Sequence, residues 1–451
     1  MKKTTLLTVL ILAGVVLGVL VGHFLLRSPG ASAAEIAQDT AVWKTIGEFV
    51  LMRPLKLIAL PLIVTSVTLG IATVGDSRRL GLLGGATVAY YLATMVLAST
   101  LGVLLAATIR PGAGIPDDVR RSALEAGQAH LQSVSGVVTP EGGVGGAWMT
   151  ILQQLIPDNA LRAAVNLEFL SVITICIVTG LGLIAIGSKA KPFIDAVEAL
   201  HEALMAIVRV ILWAMPVGVF CLVAWSVGTM GLGNLAGALA KYVLVVMLGL
   251  SFHMLVTLPG ALALFGRVNP YRFLWRMRPA LPMAFGTASS VATLPVTIET
   301  ARDHGGCSRR ASGLVLPLGA TVNMDGTALY QGVAVIFMFQ AFGYDLHFAQ
   351  YLTIVLTATL AAVGAAGIPA GGLVTTIIII SAVNSTIAAN NPDIDPLPLA
   401  AAIGLIFPVD RALDMVRTMV NVSGDAVGAR ILTRLAPDGP TDDPVRERAL
   451  A

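Results

Sequence analysis

The chain has 451 residues, of which 56% are hydrophobic and only 12% charged, with a formal net charge of +3. A soluble domain carries about 25% charged residues, so this composition excludes an ordinary soluble enzyme or adaptor. The small, dispersed positive charge excludes a nucleic-acid surface. The 46 glycines and 23 prolines suit packed membrane helices, where neighbours re-satisfy the backbone. Cys176, Cys221 and Cys307 are too scattered for a disulfide framework or a zinc site.

Lys2 and Lys3 precede an apolar run from Leu6 to Leu26, longer than the h-region of a signal peptide, so it reads as a first membrane helix despite Ala31-Ser32-Ala33. A second span is expected over Phe49–Val74 and a third over Leu80–Ile109. Pro111 to Gly146 is polar and glycine-rich and reads as a loop. Ala147 to Gly187 is a longer apolar region broken at Ile156-Pro157-Asp158-Asn159. Phe193–Val227 and Leu235–Phe265 give a fifth and a sixth span. With the N-terminus inside and one crossing per span, Lys2, Lys3, Arg78, Arg79, Lys189, Lys191 and the cluster Arg267, Arg272, Arg276 and Arg278 all fall on the cytoplasmic side.

Beyond residue 278 the pattern changes. Leu281–Thr300 is apolar, interrupted at Gly286-Thr287-Ala288-Ser289-Ser290, and flanked by arginines at both ends, which predicts a re-entrant hairpin. Leu314–Phe342 is a full span interrupted at Asn323-Met324-Asp325-Gly326-Thr327. Phe348–Ile387 is a second broken segment, with Gly364 to Gly372 at its centre. Paired glycine- and proline-interrupted segments point to inverted repeats around a midplane site.

The last helix carries the most chemistry. At about 100° per residue, Asp410, Arg411, Asp414, Arg417, Thr418, Asn421 and Asp425 share one stripe about 120° wide. Intramembrane charges cost about 2.5–3.5 kcal/mol each on insertion scales, so they require partners. A structural ion-pair network would supply them; so would a ligand. Asp325, Asp414 and Asp425 are three carboxylates against Arg417 alone, and bound cations would complete the neutralisation. Arg417 offers a planar donor fork for a substrate carboxylate, and Asp414 a partner for a substrate ammonium.

The stretch Gly319-Ala320-Thr321-Val322-Asn323-Met324-Asp325-Gly326-Thr327-Ala328-Leu329-Tyr330-Gln331-Gly332 resembles the motif of the glutamate transporter family, the dicarboxylate/amino acid:cation symporters, in its prokaryotic-type members. Ser289-Ser290 resembles the family's first hairpin tip, Gly367-Ile368-Pro369 its second, and Asp414 to Asp425 its last helix. The resemblance implies an all-α polytopic membrane protein of eight transmembrane helices plus two re-entrant hairpins, built on inverted repeats. It implies a homotrimer in the cell membrane with both termini cytoplasmic, working as an elevator. Residues 1–79 and 147–234 would be scaffold, the latter with the trimer contacts. Residues 80–110 and 235–435 would form the transport domain, 111–146 an extracytoplasmic loop and 436–451 a cytoplasmic tail.

Carried over residue by residue, the resemblance implies substrate contacts at Ser290, Thr327, Ile368, Gly372, Asp414, Arg417, Thr418 and Asn421. One sodium ion would use Gly319, Asn323, Asn421 and Asp425. Another would use Tyr91, Thr94, Asn323 and Asp325, and a third the backbone near Thr321, Met324 and Ala362–Ala365. Asp414 favours an amino acid and Arg417 an acidic side chain, so aspartate or glutamate is the expected substrate. A C4-dicarboxylate, a neutral amino acid, or an ion channel are the alternatives. Three departures stand out. Met95 replaces a hydroxyl near one sodium site, which predicts a weaker site. An arginine found in relatives is missing at both Ala288 and Met415, where Arg411 is a candidate substitute. Gln331 replaces a glutamate linked to potassium countertransport. His201 and His253 are expected to be satisfied packing groups, Glu198 and Glu202 to face a helix end, and Asp410 to pair with Arg411. No catalytic constellation stands out, so no enzymatic activity is expected.

Overall fold

The computed structural model describes residues 2–26, 33–72, 77–117, 119–121, 156–166, 168–230, 239–363, 371–390 and 395–438. Among these residues every regular element is helical and there is no strand. Four helical stretches, Gln38–Leu69, Gly81–Ile109, Ser171–Val208 and Ala240–Gly266, are long and apolar enough to cross a bilayer.

Helix α1 (Lys2–Phe24) lies along a later helix, Met215–Met230. Gly14, Gly18 and Gly22 form the contact: a Cβ at each would fall 2.6–2.8 Å from the carbonyl oxygens of Pro216, Phe220 and Ala224. Small residues at every fourth position let two membrane helices approach to backbone contact.

The second span begins earlier than expected. Helix α2 (Ala33–Gly47) continues through a π-helical turn, Glu48–Met52, into α3 (Arg53–Ala72). Lys44 and Glu48 mark a polar end in sequence, yet at i,i+4 they pair at 4.0 Å on the exposed face of one continuing helix. Pro54 has no amide to donate, and the widened turn just before it absorbs the missing bond. Helix α4 (Ser77–Ile109) matches the third span. Of the polar 111–146 loop, residues 118 and 122–146 lie outside the described set. Residues 156–159 are non-helical, as Pro157 predicts, and Asn159 caps α5 (Ala160–Val165) by accepting the Arg162 amide. Helix α6 (Phe169–Ile186) ends at Gly187, whose positive φ turns the chain into α7 (Lys191–Leu212). The fifth span is not one straight helix: Pro216 withholds its amide from Leu212, and the axis breaks at Trp213-Ala214 before α8 (Met215–Met230).

The sixth span is α9 (Ala240–Phe252), a π-helical turn at His253–Thr257, α10 (Leu258–Ala261) and a second π-helical turn at Leu262–Gly266. A short helix, α11 (Pro270–Arg276), leads to the first hairpin. Its arms are α12 (Ala280–Thr287) and α13 (Ser290–Asp303); Ala288 turns the tip in the left-handed region, and Ser289 caps α13 by accepting the Ala292 amide at 3.2 Å. The expected break in the seventh span is present: α14 (Arg309–Val322) stops, Asn323 and Met324 are non-helical, and α15 (Asp325–Ala341) resumes. Helices α16 (Phe348–Val363) and α17 (Gly371–Asn390) pack on each other; the chain between them lies outside the described residues. Helix α18 (Leu399–Leu432) carries the polar stripe.

The buried apolar residues form two clusters. One joins α3, α7 and α8 to the first hairpin and α14. The other joins α4, α9, α15, α16, α17 and the first half of α18. Met324 and Ala328 belong to the first cluster, Leu329 and Tyr330 to the second. Along α18, Leu413 and Val420 face the second, Met415 and Val422 the first. The break in the seventh span and the polar stripe therefore lie on the seam between two apolar cores. Polar groups buried there have few partners except one another.

Candidate functional site

Three polar groupings occupy this seam. The first surrounds Arg417, which is completely buried on α18. One turn earlier, Asp414 accepts a hydrogen bond from its Nη2 at 2.7 Å, and Asp410 lies 3.4 Å from the same atom. The guanidinium stacks 3.9 Å from the centroid of the Tyr330 ring, while the Tyr330 hydroxyl donates to Asp410 at 2.8 Å. Nε and Nη1 of Arg417 have no hydrogen-bond partner among the described residues. The ion pair between Arg417 and Asp414 that the i,i+3 spacing allowed is thus present. It uses only one edge of the fork and leaves two donors over. Thr418 turns its hydroxyl back to the Asp414 carbonyl at 2.8 Å.

The second grouping joins α18 to the start of α15. Asn421 accepts the Gly326 amide at 2.7 Å and directs its Nδ2 at the Met324 sulfur, 3.3 Å away, and at the Thr327 hydroxyl, 3.4 Å away. Gly326 is required here: a Cβ would meet the Arg417 carbonyl oxygen at 2.6 Å. Asn421 thereby satisfies one of the amides that the interrupted helix leaves without an intrahelical acceptor.

The third grouping is rich in oxygen. Asn323 donates to Asp425 at 3.0 Å and its Oδ1 lies 3.4 Å from the Thr94 hydroxyl. The Tyr91 hydroxyl donates to the Val315 carbonyl at 2.5 Å. Gly319 lies so close beneath that a Cβ would be 2.4 Å from Asp425 Oδ1 and 2.7 Å from the Tyr91 hydroxyl. Asp325 is fully buried, and neither carboxylate oxygen has a hydrogen-bond partner among the described residues. A buried carboxylate with bare oxygens, beside amide, hydroxyl and carbonyl oxygens, is the donor set of a hard cation. No group of three or more His, Cys, Asp or Glu with metal-holding geometry occurs among the described residues.

Of the sequence-derived site residues, Tyr91, Thr94, Gly319, Asn323, Asp325 and Asp425 come together in the third grouping. Met324, Thr327 and Asn421 meet in the second, and Asp414, Arg417 and Thr418 in the first. Ser290 is buried at the first hairpin tip, Thr321 in the last turn of α14 with its hydroxyl donating to Leu318, and Ala362 near the end of α16. Gly372 lies in the first turn of α17. Ile368 and Ala365 lie outside the described residues, with the rest of the expected second hairpin tip from 364 to 370.

Asp410 meets Tyr330 and Arg417; its expected pairing with Arg411 falls outside the described residues, where the Arg411 side chain lies. One expectation needs correction. His253 is not a satisfied packing group: its Nε2 is 3.3 Å from Asp325 Oδ2, and neither ring nitrogen makes a hydrogen bond among the described residues. His201, by contrast, is satisfied as expected, between the Thr65 hydroxyl at 3.1 Å and Arg302 at 3.0 Å. Glu198 pairs with Arg309 at 3.7 Å. The Met95 sulfur accepts the Met324 amide at 3.4 Å, and Gln331 donates to the Thr375 hydroxyl, tying the seventh span to the second hairpin. Tyr330 went unassigned in sequence, because no local pattern names the guanidinium its ring meets across two helices.

The family model described as the sodium:dicarboxylate symporter family matches residues 7–435. The chain is 38% identical to the neutral amino acid transporter B(0) of Oryctolagus cuniculus, over 95% of this chain and 80% of that protein. It is 35% identical to an excitatory amino acid transporter of Caenorhabditis elegans, over 95% and 88%. Identity is also 35% to excitatory amino acid transporter 3 of Mus musculus, over 94% and 84%.

Proposed function

The chain belongs to the sodium:dicarboxylate symporter family, and we propose that within it this protein couples sodium to the symport of aspartate or glutamate across the cell membrane. The observation that carries the substrate reading is Arg417 beside Asp414. A buried guanidinium with two donors left over suits a side-chain carboxylate, and the carboxylate one turn away suits an α-ammonium. Entry of substrate would exchange the internal contact between Arg417 and Asp414 for two external ones, with Thr327, Thr418, Asn421 and the backbone near Ser290, Ile368 and Gly372 completing the site. Both neutral and excitatory amino acid transporters are among the relatives, so the charge of Arg417 is the discriminating feature.

One sodium would be carried at the oxygen-rich third grouping, through Tyr91, Thr94, Asn323 and Asp325, and another between it and the second grouping, through Gly319, Asn323, Asn421 and Asp425. A further ion would be held by backbone near Thr321, Met324, Ala362 and Ala365. The Met95 sulfur is a poor ligand for a hard cation, which supports a weaker site there. A trimer in which 80–110 and 235–435 move against a scaffold of 1–79 and 147–234, with both termini cytoplasmic, remains part of the reading. Family membership speaks for a carrier and against a channel or an enzyme.

The test is thermal stabilisation of the purified protein by aspartate, glutamate, serine and succinate, each with sodium and with choline. Aspartate or glutamate should stabilise only with sodium, since stabilisation follows differential binding to the folded state. Arg417→Cys should lose that response and gain one to serine. Stabilisation by serine alone in the unaltered protein would refute the acidic-substrate reading.

A further inference from the structure

The sixth span supplies a polar group that no expected role absorbs. His253 is fully buried on α9's continuation, at the first residue of the π-helical turn His253–Thr257. Widened turns of this kind are concentrated at functional sites because they re-aim one side chain relative to the rest of the helix. Here the imidazole Nε2 lies 3.3 Å from Asp325 Oδ2. The same oxygen is pressed from another side by α18: a Cβ at Gly424 would fall 2.6 Å from it. Oδ2 of Asp325 is therefore held between the imidazole of one helix and the bare backbone of another. Both of these contacts fall on Oδ2.

We propose that His253 is a positioning residue for Asp325. Nε2, 3.3 Å from Oδ2 without a hydrogen bond formed here, would close onto that oxygen when a monovalent cation takes Oδ1, and so fix the carboxylate plane. This inference rests on the sodium reading above and adds to it the group that orients the ligand. The physical reason is general: a carboxylate that binds a cation loses affinity when it can rotate, and outer-shell donors that lock it are worth roughly 10–100-fold in metal affinity. A buried imidazole without any partner would otherwise be a plain loss of stability. No described side chain donates a hydrogen bond to either oxygen of Asp325.

The experiment measures the sodium concentration giving half-maximal thermal stabilisation of the purified full-length chain, with saturating aspartate, for the unaltered protein, His253→Leu and His253→Gln. Leucine keeps bulk without a donor; glutamine restores one. We expect the sodium midpoint to rise at least tenfold in His253→Leu and to return to within about threefold in His253→Gln. Aspartate affinity at saturating sodium should stay within about twofold in both. A merely structural histidine would lower stability without separating the sodium and aspartate midpoints. A well-folded His253→Leu protein with an unchanged sodium midpoint overturns the inference. So that the outcome does not depend on folding of that variant, the six histidines are 15N-labelled in the unaltered protein and His253 is assigned by its loss in His253→Gln. Its ring resonances should shift on replacing choline by sodium, and their constancy overturns the inference. An unaltered protein with no response to sodium overturns the sodium reading as well, which separates the two failures.

Discussion

Removing one hydroxyl, in Tyr330→Phe, tests the electrostatics of the Arg417 cluster. The ring stays stacked 3.9 Å from the guanidinium, so the cation–π contact survives. What is lost is the 2.8 Å hydrogen bond to Asp410, a carboxylate that is 3% exposed. A buried acceptor that loses a donor costs about 2 kcal/mol, and among the described residues a strong donor within reach is Arg417, 3.4 Å away. Closing that gap to about 2.8 Å, at an effective dielectric of about 20, raises the attraction from about 5 to about 6 kcal/mol. A substrate carboxylate must then compete with an internal one held about 1 kcal/mol more tightly, so aspartate affinity should fall about fivefold. Calorimetric titration with aspartate at saturating sodium measures this directly, and serine affinity in an Arg417→Cys background serves as the control. Unchanged or tighter aspartate binding in Tyr330→Phe would show that Asp410 does not compete for Arg417, and the reasoning would fail.

Gly319→Ala should raise the sodium midpoint by tenfold or more with a smaller effect on stability, about 1–3 kcal/mol of overpacking, because its Cβ would displace the Asp425 carboxylate; sodium-dependent thermal shift reads both. Replacing external sodium with choline should abolish concentrative uptake of labelled aspartate in proteoliposomes. Internal potassium should be dispensable there, since Gln331, not a carboxylate, faces Thr375; an absolute requirement for potassium would contradict this.

The all-helical fold and the two interruptions, at residues 288–289 and 323–324, were legible because apolar runs broken by Gly, Ser, Asn and Asp admit few other readings in a bilayer. The polar stripe of α18 was legible for a simpler reason: helical periodicity alone puts Asp410, Asp414, Arg417, Asn421 and Asp425 on one face. Contacts between distant segments were not. Nothing in the sequence around His253 names Asp325, and nothing around Tyr330 names Arg417, because both pairings depend on how two helices are rotated about their own axes. The true start of the second span was hidden by Lys44 and Glu48, whose mutual pairing let a helix run on through a stretch that looks like a boundary.

The two π-helical turns of the sixth span make its residue count a functional quantity. Each widened turn takes up one residue more than an α-helical turn, so the segments on either side keep their faces despite the extra residue. Removing one residue from the regular helix Ala240–Phe252 would instead rotate its start by about 100°. Deleting one residue between His253 and Thr257 would leave composition, hydropathy and the flanking faces almost unchanged while undoing the widened turn that holds His253 beside Asp325. For relatives of this chain, alignment gaps of a single residue inside the sixth span should therefore be read as changes in which side chain looks at Asp325, not as neutral drift in length.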